Sequence, residues 1–337
     1  MDSQTPSVPS ARSPVRSRER SGPDVPESNR SRRAEAGVAR IRPMSHATTE
    51  PFASRQIRLT APPRFDLEAV VHAHGWWNLP PFRWDEAGGV IATAAEIDDL
   101  PTDLSLSQPS PLRILVEWTG AAAEPAVASV ARRMLMLDSD LAEFQRRCAR
   151  PRRLRHVVEN GLGRLLRAPT LWEDVVKVLC TTNVNWGGTR GMSERLVKSF
   201  GARTPLGHRT FPSPQRLARR RPATLAGKAR LGYRAGALST MARAIVAGEL
   251  DLAAWEDPAP ATEELLADIL TIKGLGPYAA ASILALVERY DFLPVDSVFM
   301  NHVTNVHFKG ERPTRAAAER VYRNWGRWKY LAYWFER

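Results

Sequence analysis

Asp296 is the side chain in this 337-residue sequence whose position most invites chemistry. It follows an extended Phe292-Leu293-Pro294-Val295 and, with Ser297, stands where a helix through Val303 would begin. A carboxylate there caps the helix; held by that cap, it can also face a developing positive charge or a water. Upstream lies a second feature, Lys273-Gly274-Leu275-Gly276-Pro277-Tyr278. Glycines leave backbone N–H groups unshielded, and the start of a helix favours negative charge, so phosphate is a natural ligand for such a turn. The same residues also suit a plain helical hairpin in which the glycines serve only as cap and turn. A dinucleotide-binding loop is disfavoured, because a helix precedes the glycines and Ala279 replaces the last glycine of G-x-G-x-x-G.

The elements that must position these groups are legible on either side. Leu265, Ile269 and Ile272, with Leu266 and Leu270, form a helical apolar stripe that ends at Lys273-Gly274. Pro277 then opens a second helix, with Ala279, Ile283, Leu286, Val287 and Tyr290 as its buried stripe to about Asp291. Residues 262–290 therefore read as a helix-hairpin-helix.

The run I-K-G-L-G-P-Y-A-A followed by L-P-V-D-S resembles the signature of the helix-hairpin-helix DNA glycosylases. The block from Pro169 to Gly201, with C-T-T-N-V-N-W-G-G-T-R-G-M-S-E-R-L near its centre, is similar to the 8-oxoguanine type, as are F-P-S-P-Q-R-L-A and L-G-Y-R-A further on. The C-terminal W-G-R-W-K-Y-L-A-Y-W-F resembles the aromatic close of the alkyladenine type. The resemblance covers the chain from about Gln56 to its end. It implies an α+β fold, mainly α, with a small antiparallel β-sheet domain ahead of an all-helical glycosylase core. It further implies duplex DNA with damaged bases as partner, a monomer, and Asp296 as the catalytic carboxylate. Lys273, Gly274, Leu275, Gly276 and Tyr278 fall where the family grips the DNA backbone, sometimes with a structural monovalent cation. Asn183, Asn185 and Tyr233 fall where the family fills the gap left by a flipped base, and Arg234 where an arginine addresses the orphaned partner. Tyr278, Ser282, Trp328 and Tyr330 are the implied pocket residues.

Family members that also cut the backbone carry a lysine where this chain has Tyr278, and a phenol cannot form an imine. A water-using glycosylase without lyase activity is therefore expected. Val298, Gly188 and Ser282 depart from the 8-oxoguanine pattern. With the aromatic C-terminal segment they shift the expected substrate toward alkylated purines, whose cationic rings stack on aromatics. Oxidised guanine, uracil and mismatched thymine stay open as substrates, and a lesion-binding protein without activity is the alternative from another class.

Composition sets outer limits. A net charge of +12 favours a polyanionic partner. No apolar run is long enough for a membrane helix. Cys148 and Cys180 are too few for a disulfide framework or a four-cysteine iron–sulfur cluster. The seven histidines lack metal-ligand spacing, so no metal is expected. A reducing compartment follows: the cytoplasm, at the nucleoid of a bacterium, or the nucleus of a eukaryote.

Residues 1–54, rich in Ser, Pro and Arg, read as a disordered basic arm, with Met44 as an alternative start. In 55–138, strands are expected at Gln56–Leu59, Gly89–Thr93 and Leu112–Trp118, with a helix over Asp66–His74. The aromatics of HGWWNLPPFRW are expected to fill core rather than stack on bases. Residues 139–337 read as helical. They include Asp140–Cys148, a basic run at 149–155, a helix opened by the Thr170-Leu171-Trp172-Glu173 capping box, and one long helix over Ala316–Phe335.

Overall fold

Alternating buried and exposed side chains build the sheet. In a computed structural model of the protein, which describes residues 53–337, the strands are β1 (Arg55–Thr60), β2 (Arg83–Asp85), β3 (Val90–Ile97), β4 (Leu100–Ser110) and β5 (Arg113–Thr119). They stand in the order β1-β5-β4-β3-β2, every pair antiparallel. The three expected strands are β1, β3 and β5. The expected helix over 66–74 is α1 (Leu67–His72), capped by Asp66, which accepts from Ala69 N at 2.8 Å. All but the last two residues of the basic arm lie outside the described residues.

The central strand β4 is the one the pattern hides. Its prolines fall where a missing N–H is tolerated: Pro101 near the strand start, and Pro109 in the irregular stretch between the Ser107 and Ser110 pairings. The β3–β4 connection is Asp98-Asp99, with φ of 50° and 62°. A tight hairpin turn that matches strand twist needs positive φ at both positions, and here two aspartates supply it without a glycine to announce it.

Helices begin earlier than expected, with α2 (Glu124–Leu135) packed on β1, β3 and β5. There follow α3 (Ala142–Cys148), α4 (Arg155–Glu159), α5 (Leu171–Thr181), α6 (Trp186–Phe200), α7 (Pro214–Ala218), α8 (Pro222–Ala229) and α9 (Arg234–Ala247). The hairpin pair is α10 (Thr262–Thr271) and α11 (Pro277–Leu286), and α12 (Ser297–His307) comes next. One buried apolar cluster runs from Phe65 and Ile91 through Val127 to Val175, Leu238 and Ile283, so sheet and helices share a core. Each such side chain contributes about 1.5–3 kcal/mol on burial. Helix α11 runs between this cluster and a second one around Phe144, Phe299 and Trp328: Ala279, Ala280, Ile283, Leu284 and Leu286 belong to the first and Ala281 and Ala285 to the second, and α5 packs against it.

The C-terminal helix is broken rather than continuous. It divides into α13 (Arg315–Val321), a tight turn at Arg323–Trp328 and α14 (Lys329–Glu336). Gly326 (φ 55°, ψ −125°) makes the break in a region side chains avoid. The aromatic spacing continued a helical period across a residue that ends it. No described helix is long and apolar enough to cross a membrane.

Candidate active site

Asp296 caps α12 as its position predicts. One carboxylate oxygen accepts from Phe299 N at 2.8 Å, and the side chain is neither buried nor fully exposed. A cap bond fixes the carboxylate at the end of a helix whose amides favour its negative charge. Its neighbourhood includes Tyr333, buried on α14, whose hydroxyl is held above the usual tyrosine range by burial, with the charges of Asp296 and Tyr278 adding to the effect. Asp296 and Tyr278 thus bear on one buried phenol from α12 and α11.

The hairpin sits between α10 and α11. Gly274 has φ 96°, and a Cβ there would approach Leu179 at 3.1 Å, so it turns the chain tightly against α5. Leu275 is buried, anchors the turn and offers its backbone rather than its side chain to a ligand. Gly276 caps α11 with no side chain over the first-turn amides, and a Cβ there would meet nothing. Lys273 and Tyr278 are exposed beside it.

A second exposed group assembles where α5 ends and α9 begins. Asn183 adopts φ 48°, and its Nδ2 donates to the Tyr233 hydroxyl at 3.2 Å. Thr182 Oγ1 lies 3.2 Å from the same hydroxyl, and Tyr233 is 59% exposed. The Thr182 contact, then that of Asn183 and the nearby Arg234 charge, draw this phenol below the usual range against a small opposing effect of burial. The amide and the aromatic ring expected to act together are therefore neighbours on the surface. Arg234 departs from expectation: it is buried, and its guanidinium turns inward to the Thr182 carbonyl. Buried carbonyls need donors, so in this arrangement Arg234 holds the Asn183 loop instead of facing a partner base. Asn185 is also occupied otherwise, as the N-cap of α6 accepting from Gly188 N at 2.8 Å.

Between these surfaces opens a cavity of about 80 Å³. Tyr278, Ser282 and Tyr330, expected there, are walls, together with His74, Gly75, Trp76, Trp186 and Trp334. Trp328, expected there too, is not. The Gly326 break sends it into the core, 2% exposed and stacked on Tyr290 with ring centroids 5.7 Å apart. Trp334 takes the place, stacked on Tyr330 one helical turn away at 6.0 Å.

The walls are tethered. Trp76 Nε1 donates to Asp174 at 2.8 Å, and Trp334 Nε1 to the Ala73 carbonyl at 2.9 Å. His74 Nε2 lies 2.6 Å from the Leu166 carbonyl, which can only accept, so that nitrogen carries the proton. Burial lowers the His74 pKa to about 4 against the raising effects of that bond and Asp174. Beneath them α5 buries Glu173, Asp174 and Lys177, with Lys177 Nζ 2.6 Å from Glu173 and 4.3 Å from the Phe82 ring centre. Thr170 caps this helix through Glu173 N, as the capping box predicts, but the Glu173 side chain pairs with Lys177 instead of completing the box.

His74, Trp76, Trp186 and Trp334 were not singled out in the sequence as pocket residues. Aromatics near strands and helices most often fill core, and only their convergence in space distinguishes these. One further cluster stands apart from the pocket: His302, His307 and Glu336 bring their ligand-type atoms within 4.8 Å of one another, with the Tyr322 hydroxyl bonded to Glu336. Burial alone would raise the Glu336 carboxyl, yet the bonds from Tyr322 and His307 hold it below the usual range. The cluster fastens α12 to α14.

Chemically, this is a small slot with Trp76, Trp186, Tyr278, Tyr330, Trp334 and the His74 imidazole on its walls. Its walls are aromatic and neutral, and among the described residues no lysine or arginine lines it. Tyr278 joins it to the hairpin, and Thr181 joins it to the end of α5, next to the loop that carries Asn183.

No protein-family model matches the sequence. Among solved structures, the chain is similar to the 3-methyladenine DNA glycosylase from Archaeoglobus fulgidus, with a TM-score of 0.68 and 18% identity over 83% of this chain and 97% of that one. A structure of MBOgg1 in complex with a low-affinity DNA ligand matches with a TM-score of 0.68 and 20% identity, covering 83% and 94%. The apo form of the Clostridium acetobutylicum 8-oxoguanine glycosylase/lyase matches with a TM-score of 0.66 and 16% identity, covering 83% and 95%. The five-stranded sheet, the helical core and the Gly-Leu-Gly hairpin ahead of Asp296 thus make up the fold of the helix-hairpin-helix DNA glycosylases.

Proposed function

We propose that the protein is a monofunctional DNA N-glycosylase that removes alkylated purines from duplex DNA, acting as a monomer. The observation that carries this reading is a neutral, aromatic-walled slot, without a lysine among the described residues that line it, whose wall Tyr278 acts on the buried Tyr333 together with the helix-capping carboxylate of Asp296. A base cannot be cut from its sugar inside the stack, so it is flipped into the slot. Asn183 and Tyr233, exposed and bonded to each other, fill the space it leaves. The hairpin amides of Gly276 and Tyr278, with Lys273, receive the backbone phosphate.

Cleavage of the N-glycosidic bond leaves positive charge on the sugar and sends the bonding electron pair to the base. Asp296 stabilises that charge and takes a proton from the attacking water. An alkylated purine that already carries positive charge departs as a neutral molecule and needs no proton donor. The slot suits that demand: its imidazole stays neutral until about pH 4 and spends its N–H on Leu166. A cationic ring between aromatic faces also gains from their quadrupoles, by about 2 kcal/mol or more when desolvated. A base that departs as an anion would find no charged donor here. The reading calls for no cofactor.

The test is release of free base from methylated duplex by the wild type and by Asp296→Asn, with borohydride added in a parallel reaction. The expected result is release by the wild type, a loss of at least about a hundredfold in Asp296→Asn, and no trapped covalent adduct. A borohydride-trapped adduct overturns the water mechanism. No release from any lesion, with equal lesion binding by both proteins, overturns the enzymatic reading in favour of a binding protein.

A further inference from the structure

The slot as it stands is too small for its proposed occupant. A cavity of about 150 Å³ is what a buried benzene takes, and a purine is larger than benzene, whereas the slot measures about 80 Å³. Some wall must therefore yield when a base enters. Most walls are fixed at both ends. Trp76 is tied to Asp174, Trp334 to Ala73 and His74 to Leu166, while Tyr330 is buried and its backbone N–H is bonded to Tyr290.

Tyr278, 43% exposed, and Trp186 have no such side-chain bond among the described residues, and of the two it is Trp186 that rests on the backbone of another segment. It is 40% exposed, stands on the first turn of α6, and follows directly on the loop that carries Asn183. Its six-membered ring lies on the backbone of Gly75. A Cβ added at Gly75 would fall 2.3 Å from Cζ2 and 2.5 Å from Cη2 of the indole, closer than any real contact allows. This glycine is needed for the approach of the ring, not for backbone conformation, since its φ is ordinary among the described residues.

Resting on the glycosylase reading, we infer that Trp186, seated on Gly75, is the specificity-determining wall of the base slot: it sets the slot's width, moves off to admit a base, and excludes rings broader than a purine. The substrate class it selects is bicyclic purines carrying small alkyl groups. Tricyclic adducts such as ethenoadenine are shut out by the indole and not by the fixed walls. The position of Trp186 directly after Asn185 also places the moving wall beside the loop that carries Asn183. Entry of Asn183 into the duplex and displacement of the indole then occur in the same segment.

The experiment measures base release from two duplexes, one with methylated guanine and one with ethenoadenine, by the wild type, Trp186→Ala, Trp186→Phe and Gly75→Ala. Size discrimination in an apolar pocket is worth about 10–200-fold. The expected result is a rise of at least about tenfold in the ratio of ethenoadenine to methylguanine release in Trp186→Ala and in Gly75→Ala. The second variant keeps the indole but displaces it from its seat, so agreement between the two separates slot width from lost stacking. Trp186→Phe, which retains a ring and a closed surface, should give an intermediate ratio and remains a fair test where the alanine variants fold poorly. A wild type that releases neither base defeats the alkylated-purine reading on which the inference rests. A wild type that releases methylguanine, with ratios unchanged in all three variants, overturns the inference about Trp186 and leaves that reading standing.

Discussion

The His74 imidazole provides a test of the slot that needs no substrate. Burial against Trp76 and Trp334 brings its pKa from 6.5 to about 4 in the folded chain. In the unfolded chain it returns to about 6.5. The unfolded state therefore binds the proton more readily, and stability falls as pH falls through the window between the two values. Each pH unit inside that window costs about 1.4 kcal/mol. Lowering the pH from neutral to about 5 should thus remove about 2 kcal/mol through this one ring. Other groups titrate over the same range, so the quantity to measure is a double difference. Urea unfolding of the wild type and of His74→Gln, which keeps an N–H donor for Leu166 but cannot ionise, is compared at the two pH values. The wild type should lose about 2 kcal/mol more than the variant. Equal losses would mean that the imidazole is as well solvated when folded as when unfolded, and the picture of a dry, neutral slot would be refuted.

The remaining predictions concern the hairpin and the buried charges of α5. Gly274→Ala places a side chain at φ 96° and against Leu179, and should cost about 1–3 kcal/mol in urea unfolding. Gly276→Ala adds a Cβ in open space at φ −87°. It should leave stability within about 1 kcal/mol yet weaken duplex binding by fluorescence anisotropy, because the methyl group stands over the first-turn amides. Lys177→Met strands Glu173, whose carboxyl burial already pushes above its usual range, and should cost about 3–5 kcal/mol. Glu173→Gln combined with Lys177→Met should recover much of that in thermal unfolding, since the penalty lies in the unpaired charge.

How much of this could be read from residues alone depends on the range over which each signal acts. The cap at Asp296, the cap at Thr170 and the turn at Gly274–Gly276 are local devices, each satisfying helix-end amides within a few residues. They stand where the pattern puts them. Strand β4 does not obey its local signal, because Pro101 near its start and Pro109 in its irregular stretch sit where the ladder with β3 and β5 does not need their N–H, and the Asp98-Asp99 turn before it carries no glycine. The long C-terminal helix fails for the opposite reason: the aromatic period continues through Gly326, while the backbone there turns into a region only glycine favours. Trp328 is misplaced with it.

The slot shows the limit most clearly. Its walls come from segments around residues 74–76, 178–186, 278–286 and 330–334, and nothing in the composition of those segments separates a wall from the core behind it. Trp76 is buried like Trp118 and Trp328, yet it lines the cavity and they do not. Trp76 and Trp334 are each held by the indole nitrogen, to Asp174 and to Ala73, which fixes their place beside the cavity. Those tethers in turn depend on α5, where Asp174 is buried and shared among Trp76, Arg133 and the Ala168 amide. A carboxylate that looks like a first-turn helix residue in sequence is therefore the post that steadies one side of the pocket. By the same logic the exposed aromatic walls without such a tether among the described residues, Trp186 and Tyr278, are the ones free to answer the base, and Trp186 is the one seated on a glycine backbone.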